Sequence, residues 1–487
     1  MPPIRRYRAT PVPSPADLHL LRRFSFGYTP ALRAEAAAAG GARSWFEQQL
    51  APSRISDPRG QAVDGWFPLL AHSPRTAFEN QKSGRVHRNH YTWSIARRAL
   101  LRQTYSSRQV HEVMTEFWLN HLHVYAQASP AWPFRPGYDE VVRHHALGRF
   151  TDLLAAAVTH PAMLRYLDAD SSVAGEINEN LGRELLELHT LGRESGYSEV
   201  DVRNAAKVLT GLGVDRITLQ PVWNERDHER GLLSVLGISV PNLLGSGRDA
   251  IADLLARLAV HPATARRIAT KLAVRFVADD PPAALVDRVA EAFLSSGTSI
   301  PATLRALVDD PLFRAAAQPK VRTPMEDVVA TLRALEVTVG RPGDPGDGAA
   351  AANAVLWLTT SVGQRPWHWV TPDGFPDRSE AWASASRMLA SFRVHHNLAG
   401  GYYPRERVTY RPAGSRLPRR RMRFDTLTDH LSRTLRGRPV DARTLAAACR
   451  YLEVSPGTVI TRSHPVVRWR MPWLLALLLD SPEHMTR

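Results

Sequence analysis

Cysteine and lysine are almost missing from this 487-residue chain. The single cysteine, Cys449, excludes a disulfide within the chain and any cysteine-rich zinc site. Of 62 basic side chains only four are lysines, Lys82, Lys207, Lys271 and Lys320, so arginine carries almost all of the net charge of +15. Such a skew reads as the coding bias of a GC-rich genome. A basic surface attracts polyanions in general, but no nucleic-acid reader motif accompanies it, and nucleic acid is not an expected partner. Long apolar runs are also lacking. The most apolar stretch, residues 473–479, is far too short to cross a bilayer. The twin arginines Arg5 and Arg6 are followed by no apolar segment of the signal-peptide kind. The expectation is therefore a soluble, cytoplasmic protein. Common catalytic signatures are absent too: there is no Walker loop, no GxGxxG after a strand, no HExxH and no GxSxG elbow. The nearest approach to a di-iron ExxH repeat, Glu187-Leu-His189, has the wrong spacing.

What is present is an ordinary globular composition. Hydrophobic residues make up 44% and charged residues 22%, which argues against global disorder. Helical periodicity dominates, and strands do not alternate with helices, so a parallel α/β sheet is disfavoured. The predicted class is all-α, a multi-helix globular array with one small β-hairpin insertion near 215–240. Short apolar runs at 216–223 and 231–237 flank the polar loop 224–230, with Pro221 pushing its strand to an edge. The predicted organisation is an N-terminal helical region (15–215), the hairpin insertion (216–245), a central helical region (246–340), a Gly/Pro-rich flexible linker (341–352) and a C-terminal helical region (353–487).

Nine of the 19 histidines fall between His87 and His189, which directs attention to that span. The first constellation is Glu116-Phe-Trp-Leu-Asn-His-Leu-His123. On a helix predicted over 109–125, Glu116, Asn120 and His123 share a face, while His121 lies beside Phe117 and Trp118. Two residues apart on a helix, His121 and His123 diverge and cannot chelate one ion together. The competing reading is a histidine packed in an aromatic core and donating to a backbone carbonyl.

The second constellation runs from Asn178 to Gly192. Asn178 is placed to cap a helix and Gly192 to end it. Glu179, Arg183 and Glu187 form an i, i+4, i+8 ladder. Asn180, Glu184 and Glu187 make a second polar stripe, and His189 falls on the Leu185/Leu186 side. Polar groups on several sides of a leucine-rich helix predict burial between neighbours. Buried carboxylates are costly unless paired or metal-bound, which marks a candidate site; a polar network that fixes helix register is the alternative. The third is Asp227-His228-Glu229 in the hairpin loop, either a metal-binding or basic group or a solvated turn. The fourth, Trp367-His368-Trp369 followed by the turn Pro372-Asp373-Gly374, reads as a pocket lining or as plain structure.

These segments together resemble a family. His19-Leu-Leu-Arg-Arg23 with Gly27, Phe117-Trp-Leu-Asn-His121, Asn178-Glu-Asn180 and Arg183-Glu-Leu-Leu-Glu-Leu-His-Thr-Leu-Gly192 are similar to the bacterial family catalogued as domain of unknown function 1800. The likeness continues through Tyr197, Thr210-Gly211, His261-Pro-Ala-Thr-Ala265, Lys271-Leu272, Pro372-Asp-Gly-Phe375 and Ser481-Pro-Glu483, and implies one continuous domain over 15–485. The family carries no established reaction. Many relatives look exported and are often encoded beside a sulfatase-like protein, whereas this sequence shows no export signal. It departs from the family pattern at Glu229, where an aspartate is usual, and at Leu119, where a further histidine is frequent.

Two functional readings follow. The first is a metal- or redox-cofactor-dependent enzyme. His121 and His189 act in it as ligands or acid–base groups, Glu184 and Glu187 as carboxylate ligands or bases, Asn180 and Arg183 as orienting groups, and His228 as a lid residue. The metal set is His121, Glu184, Glu187 and His189, whose mixed N/O donors suit a divalent transition metal such as Fe, Mn or Zn. The second is a binding or assembly protein whose polar core is structural and whose basic surface, including residues 405–423, docks an acidic protein partner. A weaker third reading is polyanion binding through the Arg-rich residues 416–423.

Overall fold

The computed structural model describes residues 9–240, 242–243, 246–315, 319–343 and 350–487. Of the predicted linker, residues 344–349 lie outside the described residues, as do residues 1–8, where the twin arginines stand. Twenty-five α-helices and four two-stranded sheets make up the described part, so the fold is mainly α with small β-hairpins. No helix among the described residues is long and apolar enough to cross a membrane. One continuous apolar core runs from Leu20 to Leu479 and packs the helices on either side of the hairpin segment against one another.

Local chemistry explains many helix starts. Ser198 accepts from the Asp201 backbone N–H while the Asp201 carboxylate accepts from the Ser198 N–H, a reciprocal capping box three residues apart in the sequence. Thr323 and Glu326 repeat the arrangement at the Pro324–Ala334 helix. Proline in the first turn and a His261 cap open the Pro262–Phe276 helix, which carries half of the candidate site.

Three local expectations are corrected. The helix predicted over 109–125 is Gln109–His121; Leu122 caps it, so His123 lies beyond the helix and the shared face with Glu116 and Asn120 does not extend to it. The single hairpin is two. Leu212–Val214 (β1) pairs with Pro221–Trp223 (β2), and Leu233–Val235 (β3) pairs with Ile238–Val240 (β4), the polar loop joining one hairpin to the next. Leu236 and Gly237 both have positive φ, the two-residue turn that matches strand twist and closes the second hairpin on itself. Two more small sheets, Thr338–Val339 with Val408–Thr409 and Arg421–Arg423 with Val459–Thr461, lie where no strand is predicted. Strands of two or three residues carry too little alternation to be read.

The third correction concerns the helix predicted to begin at Asn178. It is α-helical only over Asn180–Glu184 and widens into a π-turn over Leu185–His189. Its entry is packed very closely on the Glu199–Leu209 helix. A Cβ on Gly182 would lie 2.8 Å from the Ala206 nitrogen and 2.9 Å from the Val202 carbonyl oxygen. Backbone cannot yield as a flexible side chain can. Gly182→Ala is therefore expected to destabilise the protein by about 1–3 kcal/mol, despite alanine's better helix propensity. A chemical-denaturation midpoint equal to or above that of the parent protein contradicts this close approach.

Candidate functional site

The π-turn sets the site. An extra residue in the turn breaks the regular i to i−4 ladder and leaves carbonyls without helical partners. Thr190 donates its hydroxyl to the Leu185 carbonyl at 2.6 Å, and the Gly192 N–H reaches the Leu186 carbonyl. Two further carbonyls are taken by other elements. Arg267 Nε donates to the Leu188 carbonyl at 3.1 Å, and His121 Nε2 lies 3.1 Å from the His189 carbonyl. Gly192, at φ +91°, leaves room for Arg267, since a Cβ there would lie 2.9 Å from its Nη1.

His121 thus ends one helix and seals the widened end of another. A carbonyl only accepts, so Nε2 carries the hydrogen and Nδ1 is left as an acceptor. That acceptor faces Lys271 Nζ at 3.1 Å. Burial, then the neighbouring Lys271 and Arg267 charges, push the His121 pKa well below its ordinary value, so the ring is neutral. The Lys271 ammonium is held down to about 8, first by burial and then by Arg267. His189 is fully buried with its ring centroid 6.3 Å from that of His121. Burial and Lys271 push it down to about 3, and neither ring nitrogen makes a hydrogen bond of normal geometry.

Arg267, Lys271 and Arg275 stand four residues apart on the Pro262–Phe276 helix and so share one stripe. Lys271 lies on the wall between two openings. One, of about 360 Å³, is lined by Asn120, His121, Lys271, Trp369, Asp373 and Phe375 among others. The second, of about 700 Å³, is lined by Glu187, Gly192, Arg193, Arg267, Lys271 and Asp373 among others.

The Pro372–Gly374 turn is docked onto the histidine-bearing helix by Asn120. Its amide donates to the Phe375 carbonyl and accepts from the Phe375 N–H, both at 2.8 Å. Gly374, at φ +74°, approaches so closely that a Cβ would lie 2.2 Å from the Asn120 carbonyl oxygen. His123 Nε2 donates to the Trp369 carbonyl at 2.8 Å, and Trp369 Nε1 and the Thr371 hydroxyl hold Asp373. The first, second and fourth constellations therefore meet around Lys271.

The remaining candidates are placed differently. Arg183 pairs with Glu199 and lies 3.5 Å from Glu179; Arg203 also pairs with Glu179. Glu187 lines the larger opening and pairs with the exposed Arg193. Half-buried Glu184 is pushed up by burial and by Glu187. Asn180 takes the Asn178 side chain on its backbone N–H at 2.9 Å. His228 is buried, with Nδ1 2.8 Å from the Thr210 carbonyl and Nε2 2.6 Å from Asn242 Oδ1; it lines neither opening. Glu229 takes the Thr210 hydroxyl on its backbone N–H. In the basic stretch, Arg416 is buried on the Leu335 carbonyl, while Arg411 pairs with Glu336 and Arg423 with Asp425.

Among the described residues, the one trio of ligand-type groups with donor atoms within 4.8 Å of one another is Asp327, His395 and His484. His395 Nδ1 is 2.7 Å from Asp480 and its Nε2 3.2 Å from Asp327. Burial alone would lower its pKa, but the two carboxylates outweigh that and raise it to about 9.

Lys271 and Arg267 are the functional candidates that the constellations pass over. The available signal was compositional: where arginine fills nearly every cationic position, a lysine stands out, because only lysine titrates in a usable range. A family model described as "Protein of unknown function (DUF1800)" matches residues 19–486. No curated protein and no solved structure matches the chain.

Proposed function

This chain belongs to the DUF1800 family, and from that premise we propose that it is an enzyme with an acid–base centre at Lys271 and His121. The single observation that carries the reading is Lys271 Nζ, 3.1 Å from the acceptor nitrogen of a neutral, buried imidazole, at an opening of about 360 Å³. A lysine held near 8 exchanges a proton close to neutral pH, which an ordinary lysine near 10.4 does not. His121 keeps one direction of that hydrogen bond fixed, because its other nitrogen is committed to the His189 carbonyl. Asn120 and Asp373 hold the opposite wall, and the orphaned His189 ring supplies polarity behind it.

The metal version of this reading draws on the same imidazoles. Both His121 nitrogens are engaged and Glu187 is paired with Arg193, which leaves the His189 ring and the half-buried Glu184 carboxylate as ligands. That donor set is thinner than the three or four protein ligands usual for a transition-metal site, and it favours proton transfer. The binding-protein reading draws on the exposed ion pairs of Arg183, Arg193 and Arg203, which account for the ladder as surface pairing.

The test is competitive labelling of the amines with an acylating reagent across pH, read by peptide mass spectrometry. Lys271 is expected to react with a midpoint near pH 8, well below the value of about 10.4 usual for a lysine amine. A Lys271 midpoint at or above pH 10 overturns the acid–base reading and leaves the binding-protein one. Stoichiometric metal in the purified protein that is lost in His121→Ala and His189→Ala would replace it with the metal version.

A further inference from the structure

We infer that the 700 Å³ opening beside Lys271 is an oxyanion subsite, in which Arg267 grips a carboxylate, phosphate or sulfate group of the molecule processed next to it. The subsite deepens the proposed function and rests on it for the chemistry at Lys271; the binding itself rests on Arg267 and its place in the opening.

Arg267 uses only Nε, on the Leu188 carbonyl, and no carboxylate lies within ion-pairing distance of it among the described residues. Its neighbour one turn on, Lys271, is likewise without a carboxylate partner, its one hydrogen bond being to His121. The other two arginines that line this opening are tied up. Arg266, on the same helix and facing the same opening, pairs with Asp287, and Arg193 pairs with Glu187. Burial and then the Arg267 charge lower the Lys271 pKa, and burial lowers that of Arg267 against the pull of Glu187. An arriving oxyanion relieves both the repulsion and the lost hydration. The planar guanidinium fork suits two parallel hydrogen bonds to such a group. The carboxylates on the lining are accounted for. Glu187 is paired, Asp373 accepts from Trp369 and Thr371, and Glu194 is exposed. An anion held at Arg267 places the rest of its molecule along the wall that carries Lys271 into the smaller opening.

The experiment uses the full chain and three probes, inorganic phosphate, sulfate and succinate, against sodium chloride at matched ionic strength. In the parent protein at least one probe is expected to protect Lys271 from acylation saturably, with chloride giving no saturable protection. Calorimetric titration should then show binding at least about tenfold weaker in Arg267→Gln, the loss of about 1.4 kcal/mol that one charge-assisted contact represents. Arg266→Gln, whose guanidinium is already paired, should bind as the parent does. Succinate alone saturating identifies a carboxylate site, and phosphate or sulfate alone identifies a tetrahedral one. Protection no better than chloride, or parent-like binding by Arg267→Gln, overturns the subsite. The outcomes separate from those of the acid–base test: saturable binding lost in Arg267→Gln while Lys271 titrates at pH 10 keeps the subsite and removes the enzyme reading.

Discussion

Arg275→Met is expected to lower stability by about 3–5 kcal/mol, the largest effect of any single substitution considered for this protein. Arg275 is 3% exposed and lies 2.9 Å from Glu116, 2.9 Å from Glu326 and 3.4 Å from Asp377. Arg487 joins the same cluster through Glu326 and, at 2.9 Å, Asp377. Two cations thus serve three carboxylates in the interior. The imbalance shows in the acids. Burial drives Glu116 up to about 7 against the pull of Arg275, whereas Glu326, buried as deeply, is brought down to about 2 by Arg275 and Arg487 together. Glu116 is therefore the member able to take a proton, and Arg275 is the one that keeps the cluster from carrying unpaired charge. Methionine fills similar volume but strands carboxylates in a dry site.

The check is a urea or guanidinium midpoint with an unchanged slope. Glu116→Gln is the control: it replaces a proton-sharing acid by a neutral isostere and should be close to neutral or stabilising above pH 7. A loss below about 1 kcal/mol in Arg275→Met would mean that the carboxylates find water or protons instead, and the ion cluster would cease to explain the core. The consequence reaches the candidate site, since Arg275 sits one turn beyond Lys271 and its partner Asp377 lines the smaller opening. The cluster holds the helix and the Trp-rich loop at the spacing that the opening requires.

His395→Gln is expected to have the second largest effect, with a pH dependence of definite sign. His395 is clamped between Asp327 and Asp480, with Arg387 on the far side of Asp327 and His484 beside it. Its folded pKa of about 9 lies above the unfolded value of 6.5, so the folded state holds the proton more tightly. The linked stabilisation, about 3 kcal/mol, is present in full below pH 6.5 and disappears as pH rises through 9. The difference in unfolding free energy between parent and His395→Gln should therefore be greatest near pH 6 and shrink steadily towards pH 9.5. His484 is pushed well down by burial and by His395, so it stays neutral across that window. A gap that stays constant with pH would show that the imidazole is an ordinary packed ring and not a buried cation.

Neither ion cluster is legible from the sequence. Arg275 and Glu116 are 159 residues apart, and His395 and Asp480 are 85 apart. Nothing in either local neighbourhood says which distant charge will arrive. The same holds for Lys271 and His121, 150 residues apart. Each stands on a helix, but a helix pattern reports only which face is apolar. The π-turn at Leu185–His189 escaped for a related reason: its residues are good helix formers, and the extra residue in the turn is accommodated because Arg267 and His121 occupy the freed carbonyls. Likewise the Gln109–His121 helix ends with no glycine or proline to announce it, stopped where His123 is drawn to the Trp369 carbonyl.

By itself the sequence determined the helical class, the starts of helices with reciprocal caps such as Ser198/Asp201, the turn at Pro372–Gly374 and the motifs that mark the family. These depend on hydrogen bonds and periodicity within a few residues, which local order fully encodes. Only the tertiary structure decided which histidine meets which lysine, which carboxylates are surface pairs and which opening carries unpaired cations. Those outcomes depend on desolvation and on long-range approach, quantities that exist only once the chain has closed on itself.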